Sequence, residues 1–225
     1  MADITVTGMV ISSMPIGEYD RRLEILTSEA GRISVFARGA RKPSSSLVSV
    51  SRTFAFGTFR LFQGRNSYGL NAASISNYFT ELSEDVELTA YGSYFLELAR
   101  YFSRENMEAG DMLLLIYQSL RALSVPSIPH RLVRSVFELK MLQINGLCPP
   151  YDRIIAAEGL FGFASSLSRS AAYALSFVLN TPVNKLYTFT LTDEVLTEFS
   201  ALVTHLLRLS VDKRFKSLEL LETLG

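Results

Sequence analysis

The first 80 residues show the alternation of apolar and polar positions that is typical of β-strands. In "RISVFAR", for example, Ile33, Val35 and Ala37 occupy every second position. Five such segments follow one another with glycine-bearing turns, and Gly57 marks a bulge or sharp bend in the fourth. Short strands at this spacing predict a small barrel or a sandwich. The five segments are "ITVTGMVISS", "RRLEILTS", "RISVFAR", "RTFAFGTFRLFQ" and "YGLNAASI".

From about residue 80 the apolar spacing becomes helical. Ser83 is expected to be an N-cap, with Glu84 and Asp85 in the first turn. Residues 147–167 are expected to be irregular. Strands followed by helices predict separate domains or an α+β fold, with limits at 1–80 and 81–225. Further helices are predicted from Asp111, from the "VPSIP" turn to Gly146, over 169–179 and 192–209, and through "FKSLELLETL".

Charge is balanced over the whole chain but not along it. The 22 basic and 22 acidic residues cancel, and 48% hydrophobic content excludes a disordered chain. Residues 1–80, however, carry nine Lys or Arg against five Asp or Glu, and residues 30–80 carry seven against none. This asymmetry indicates a polyanion as the partner of the strand-rich half.

A phosphate backbone is the polyanion that the basic residues fit best, because they gather at turns and strand ends. An ordinary solvated surface is the competing interpretation. Unpaired bases would also need exposed aromatic rings, although some of the candidate rings could belong to the core. The phosphate-binding candidates are Arg21, Arg22, Arg32, Arg38, Arg41, Lys42 and Arg65, and the base-stacking candidates are Tyr19, Phe36, Phe62 and Tyr68.

Catalytic signatures are missing from the sequence. It has no P-loop, no dinucleotide fingerprint, no HExxH and no GxSxG. His130 and His205 are far apart, and the single Cys148 excludes an internal disulfide and a multi-cysteine zinc site. We therefore expect a non-enzymatic protein without cofactor or metal. The N-terminus does not resemble a signal peptide and no apolar run is long enough to span a bilayer, so a cytoplasmic protein is expected.

The stretch "GMVISSMPIGEYDRRLEILTSEAGRISVFARGARKPSSSL" strongly resembles the N-terminal signature of the bacterial RecO recombination-mediator family. The closing segment "RFKSLELLETL" is similar to the last helix of that family. The resemblance covers essentially the whole chain and is most specific from Gly17 to Ser46. It implies an α+β multidomain fold, in which an N-terminal OB-fold β-barrel is followed by an all-helical domain.

The resemblance also implies a function. Such proteins bind single- and double-stranded DNA, anneal complementary strands and associate with RecR. A cytoplasmic, nucleoid-associated protein is therefore expected. They contact the acidic C-terminal tail of single-stranded-DNA-binding protein, so that RecA can be loaded onto coated strands. A tail of this kind needs an apolar groove with a cationic rim. Arg121, Arg131 and Arg134 are the candidates for that rim, and exposed helix charges without a partner are the alternative.

One departure from the family pattern concerns zinc. Many members carry a four-cysteine module that begins "DRCxxCG", where this chain has "DRIIAAEG". Ile154 and Ala157 stand at the first two ligand positions, so a thiolate site cannot form.

The alternative function is a protein–protein adaptor whose basic strand module binds an acidic protein. A nucleic-acid enzyme would need a carboxylate cluster for metal, and residues 30–80 contain no carboxylate.

Overall fold

The computed structural model describes residues 3–64, 67–156 and 167–224. The chain divides into two compact units, Met1–Leu113 and Leu114–Gly225. The strands of the first unit are β1 (Asp3–Ile16), β2 (Asp20–Thr27), β3 (Gly31–Ala37), β4 (Phe56–Gln63) and β5 (Tyr68–Asn77).

These strands form a closed barrel in the order β1-β2-β3-β5-β4. All neighbours are antiparallel except β3 and β5, which run parallel. The long strand β1 pairs with β2 through its second half and with β4 through its first half, and this double pairing closes the barrel. Five strands in this arrangement are OB-like, so the predicted barrel is confirmed and the sandwich is excluded.

The interior of the barrel follows the alternation seen in the sequence. Leu23, Ile25, Ile33 and Val35 are all fully buried in one core cluster. Because successive side chains of a strand point to opposite faces, the residues between them lie on the outside of the barrel. At Gly57 a Cβ atom would lie 2.1 Å from the Ser74 carbonyl oxygen, and the register with β5 shifts there, as the predicted bulge requires.

Helical structure in the first unit begins earlier than predicted, with α1 (Leu47–Val50) between β3 and β4. A 3-10 turn (Thr80–Ser83) and α2 (Val86–Phe102) follow β5. The predicted N-cap at Ser83 is wrong. Asp85 caps α2 instead, since its carboxylate accepts the Leu88 N–H at 3.0 Å. The next helix, α3 (Gly110–Leu123), begins in this unit.

Residues 104–109, after α2, are hydrogen-bonded to the turn between β2 and β3. The Arg32 N–H donates to the Arg104 carbonyl at 3.1 Å, and the Asn106 N–H donates to Ala30 at 2.9 Å. The first compact unit therefore extends beyond the barrel. The change from strands to helices falls between Asn77 and Thr80, as the sequence indicated. The domain limits at 1–80 and 81–225 stay a prediction.

The second unit is helical wherever it is described with regular structure. Helix α4 packs against α6 and α7 and is buried along most of its length. Its Lys140 ammonium donates to three carbonyls at the end of α6, those of Val178, Leu179 and Thr181, at 2.9–3.2 Å. The helices are α4 (His130–Ile144), α5 (Tyr151–Ala156), α6 (Arg169–Asn180), α7 (Asp193–Ser210) and α8 (Lys216–Leu224), with a 3-10 turn at Val183–Lys185.

Helix α5 lies within the segment that was predicted to be irregular, so that prediction is wrong for its first part. It begins after two consecutive prolines, and the Arg153 and Ile154 N–H groups donate back to the Pro150 carbonyl. Ala157 lies outside the described residues. Among the described residues, we find no helix with the length and apolar character that a membrane span needs.

Candidate nucleic-acid interface

The basic loop (Arg38–Lys42) leaves the end of β3 and folds over the turn between β1 and β2. Gly39 has a positive φ of 69°, which a glycine adopts without strain. Its N–H donates to Asp20 Oδ1 at 2.7 Å, and the Arg41 N–H donates to the Tyr19 carbonyl at 2.8 Å. These bonds connect the loop to residues 19 and 20 and give it a defined conformation.

The basic side chains of this loop are exposed at one end of the barrel. Arg41 donates to the Gly17 carbonyl at 3.0 Å, and the Lys42 ammonium lies 5.3 Å from the centre of the Tyr19 ring. The Arg38 side chain is exposed and makes no hydrogen bond or ion pair with any residue that the structure describes. Three cations that were predicted from sequence are therefore brought together, with at least Arg38 available to a ligand.

An outward-facing row, which we call the outer band, crosses the barrel next to this loop. Met14 lies opposite Arg22, and Arg22 lies opposite Phe36. Phe36 neighbours Gly69 on β5, and Gly69 lies opposite Phe62 on β4. The Phe62 ring covers Gly69, because a Cβ atom there would lie 1.9 Å from the ring. Phe36 is 37% exposed and Met14 is 44% exposed, so the band presents apolar surface beside a cation.

Carboxylates lie closer to the basic residues than the sequence suggested. The acid-free segment 30–80 includes β3, but β3 pairs with β2, which carries acids. Glu24 on β2 contacts Arg32 at 3.4 Å and also pairs with Arg100 of α2. The charge of Arg32 is therefore partly offset within the unit, because Glu24 is shared between two arginines, and this weakens the case for Arg32 as a phosphate ligand. Strand pairing was the signal for these contacts, since a β2–β3 hairpin sets Glu24 beside the outer face of β3.

The remaining barrel candidates differ in how available they are. Arg22 is exposed and donates to Ser34 Oγ at 3.0 Å, whereas Arg21 is half-buried and donates to Ser13 Oγ at 3.0 Å. Tyr68 packs against the barrel core, so the presence of an aromatic ring there is explained by packing and does not require a stacked base.

Tyr19 is 44% exposed, and a hydrogen bond with Glu18 raises its pKa, so the ring stays neutral beside Lys42. A neutral ring can stack on a base and attract the lysine ammonium. Arg65, the remaining candidate, lies outside the described residues.

A cavity of about 700 Å³ lies in the second unit, and we call it the α7–α8 cavity. It combines four basic side chains with apolar ones, and three acidic residues (Asp212, Glu219 and Glu222) also line it. Sequence reasoning missed most of its cations, for which the "DKR" run before α8 was the available signal. The basic and apolar lining residues are Arg134, Arg208, Lys213, Arg214, Leu207, Val211, Phe215 and Leu218.

The three arginines predicted to bind a partner tail are not gathered in this cavity. Arg134 lines it and lies 2.8 Å from the buried carboxylate of Glu138. Arg131 donates to Thr197 Oγ1 at 3.1 Å, and Arg121 is exposed near the end of α3. Of the three arginines, Arg134 alone therefore lines the α7–α8 cavity.

Comparison with known proteins identifies the family. Residues 1–79 match the family "Recombination protein O N terminal", and residues 83–156 match "Recombination protein O C terminal". The DNA repair protein RecO of Caldicellulosiruptor saccharolyticus is 30% identical over 75% of this chain and 67% of its own length. This chain belongs to the recombination protein O family.

Similarity to this family extends over nearly the whole chain. The DNA repair protein RecO of Acetivibrio thermocellus is 27% identical over 98% of this chain and 97% of its own length. The corresponding protein of Clostridium perfringens strain 13 is 27% identical over 99% and 98%. The N-terminal match covers the barrel with the basic loop and the outer band, and membership of the family supports a role in DNA repair or recombination.

Among the described residues of this family member, no group of His, Cys, Asp or Glu is arranged to hold a metal ion. Ile154, at one of the positions that hold cysteine in zinc-binding members, is buried as an apolar residue. Burial raises the pKa of the Cys148 thiol, and the Lys140 ammonium opposes this only in part. A thiol with a raised pKa is a weak nucleophile at neutral pH.

Proposed function

We propose that this protein is a non-enzymatic mediator of DNA repair and recombination whose barrel binds single- and double-stranded DNA. The observation that carries the proposal is the adjacency of the basic loop and the outer band. Phe36 lies two residues before Arg38, and Arg22 is its direct neighbour on β2. Exposed cations beside an exposed aromatic ring are what an unpaired strand needs, because it offers phosphates and base faces together.

Binding in this mode does not depend on base sequence. Arg38, Arg41 and Lys42 contact phosphates, and Phe36 and Phe62 offer ring faces to unpaired bases. Every base has such a face, so stacking tolerates any sequence. Phosphate contacts release counterions, so affinity falls steeply as salt rises. A duplex hides its base faces and therefore uses the phosphate contacts alone.

Annealing follows from the same contacts. Two complementary strands repel each other through their phosphates, and cations that neutralise both strands lower that repulsion. This step consumes no nucleotide, in keeping with a sequence that has no P-loop. In this proposal residues 1–80 carry DNA binding, and residues 81–225 carry partner binding.

The α7–α8 cavity is the site that we propose for the acidic tail of single-stranded-DNA-binding protein. Its apolar residues suit the hydrophobic side chains of such a tail, and Arg208, Lys213 and Arg214 suit its carboxylates, whereas Arg134 is already paired with Glu138. Arg121 and Arg131 would contact residues of the tail outside the cavity. Association with RecR and help in loading RecA onto coated strands complete the proposed role, and they rest on the family resemblance.

The test is the binding of a labelled single-stranded oligonucleotide, measured by fluorescence anisotropy over a salt series. The wild type is compared with Arg38→Glu/Arg41→Glu/Lys42→Glu. We expect the wild-type log–log slope to include about −0.7 for each phosphate contact, and the variant slope to be shallower by about two or three contacts. Arg52→Glu/Arg60→Glu/Lys185→Glu changes the charge equally at exposed positions outside the loop, and it should keep most of the affinity.

Two results would contradict the proposal. A folded loop variant that binds as tightly as the wild type would remove the basic loop from the interface. The absence of binding by the wild type at low salt would favour the adaptor alternative, in which the basic loop contacts an acidic protein. A pull-down with the loop variant and the control variant would then show whether the same residues serve a protein partner.

A further inference from the structure

We infer that Asp20 is a positioning residue that holds the basic loop in the conformation that binds DNA. This inference rests on the proposed function, because it concerns the same loop. Asp20 is the first residue of β2, and its half-buried carboxylate accepts the Gly39 N–H at 2.7 Å. A hydrogen bond from an amide to a carboxylate at this distance is charge-assisted and stronger than a neutral one.

The bond acts at the residue where the chain changes direction. Gly39 has a left-handed φ of 69°, and the Lys42 N–H donates back to its carbonyl at 3.0 Å. Asp20 therefore fixes the peptide that separates Arg38 from Arg41. The neighbouring Ala40 is buried against the barrel core, so the loop is held from two sides. With both restraints, Arg38, Arg41 and Lys42 are presented without a further loss of loop entropy on binding.

On electrostatic grounds alone, a carboxylate at the position of Asp20 is unfavourable for DNA binding. A carboxylate beside cations that bind phosphate lowers the local positive potential, and so it should weaken DNA binding. Its presence is explained if the order that it gives to the loop outweighs the repulsion. This balance predicts opposite effects for two substitutions that remove the same charge.

Asp20→Asn removes the charge but keeps an oxygen that can accept the Gly39 N–H. Asp20→Ala removes both the charge and the acceptor. If electrostatics alone mattered, both variants would bind DNA more tightly than the wild type. If Asp20 positions the loop, Asp20→Ala binds more weakly because only part of its population has the competent loop. Asp20→Asn then binds at least as tightly as the wild type.

The experiment measures the Kd of a labelled single-stranded oligonucleotide at one fixed salt concentration. We expect Asp20→Ala to raise the Kd about fivefold or more, which corresponds to a competent fraction of about one fifth or less. Glu18→Gln is the matched control, because Glu18 is an exposed acid of the same turn without a bond to the loop backbone. It should lower the Kd or leave it unchanged, as should Asp20→Asn.

Loop order is measured separately from DNA binding. Trypsin should cleave after Arg38 and Arg41 faster in Asp20→Ala than in Asp20→Asn or the wild type, and mass spectrometry identifies the sites. Circular dichroism establishes whether each variant is folded. If Asp20→Ala does not fold, the inference is tested instead by the hydrogen-exchange rate of the Gly39 N–H in the wild type. A protected Gly39 N–H supports the inference, and an unprotected one contradicts it.

The results separate this inference from the proposed function. If the triple loop variant loses binding but folded Asp20→Ala binds as tightly as the wild type or more tightly, Asp20 is not a positioning residue and the DNA interface stands. If the triple loop variant itself binds like the wild type, the interface is elsewhere and both proposals fail.

Discussion

Gly31→Ala tests how α2 is joined to the barrel. Gly31 is the first residue of β3, directly after the turn from β2, and it has a positive φ of 66°. A Cβ atom there would lie 2.1 Å from the Arg104 carbonyl oxygen and 2.4 Å from that of Met107. Both atoms belong to the backbone, so neither can move aside alone. The substitution must displace the segment 104–109 from the turn.

The free-energy cost of this displacement follows from the backbone hydrogen bonds that it would break. Three backbone hydrogen bonds connect the segment to the turn, donated by Arg32, Asn106 and Ala109. Each is worth about 1 kcal/mol net, so losing all three costs about 3 kcal/mol. The left-handed backbone adds about 1 kcal/mol for any residue with a Cβ. We expect Gly31→Ala to lower the free energy of unfolding by about 4 kcal/mol, or about 2 kcal/mol if only the Arg32 bond breaks.

Gly17→Ala is the matched control for the backbone cost. Gly17 also has a positive φ, of 55°, but a Cβ atom there would meet nothing within 4 Å. It should lose only about 1 kcal/mol. Urea unfolding followed by circular dichroism and tyrosine fluorescence measures both variants, since the chain has ten tyrosines and no tryptophan. If Gly31→Ala were no less stable than Gly17→Ala, the contact between the segment 104–109 and the turn would not exist as described.

Two further predictions concern the binding sites. Phe36→Ala should weaken binding of a single-stranded oligonucleotide by about 1–3 kcal/mol and leave duplex binding nearly unchanged, because only unpaired bases can stack on the ring. Equal losses of affinity for the single strand and for the duplex, measured by anisotropy titration, would contradict this. Lys213→Glu/Arg214→Glu should abolish binding of a labelled acidic peptide with an apolar C-terminus in the α7–α8 cavity, whereas Lys185→Glu/Arg169→Glu, exposed charges outside the cavity, should not. Unchanged peptide binding by the first pair would locate the tail site elsewhere.

Several parts of the fold could be predicted because they depend on local sequence. The alternation around Ile33 and Val35 identified inward positions, since the period of a strand is a property of its own backbone. The position of the α2 cap was predicted less well. Ser83 and Asp85 are both good capping residues, and the sequence could not show that a 3-10 turn would end at Ser83 and leave Asp85 as the cap.

In the candidate site, too, features that depend on local sequence were predicted and features that depend on tertiary packing were not. Its exposed cations were predicted because Arg38, Arg41 and Lys42 lie within five consecutive residues that follow a strand. Most of the cations of the α7–α8 cavity were missed, because a concave surface between helices depends on how those helices pack. The role of Phe62 as a cover over Gly69 was also hidden, since it requires the pairing of β4 with β5.

By itself, the sequence determined that a strand-rich half precedes a helical half, the inward positions of β2 and β3, and the presence of a basic loop after β3. Only the tertiary structure decided which charges meet. Glu24 pairs with Arg100, 76 residues away, and Asp20 accepts a bond from Gly39, 19 residues away. Such partners meet only when the barrel closes and α2 packs against it, because these steps bring distant backbone segments together. Local sequence patterns do not predict these long-range pairs, because the patterns arise from interactions within a few residues.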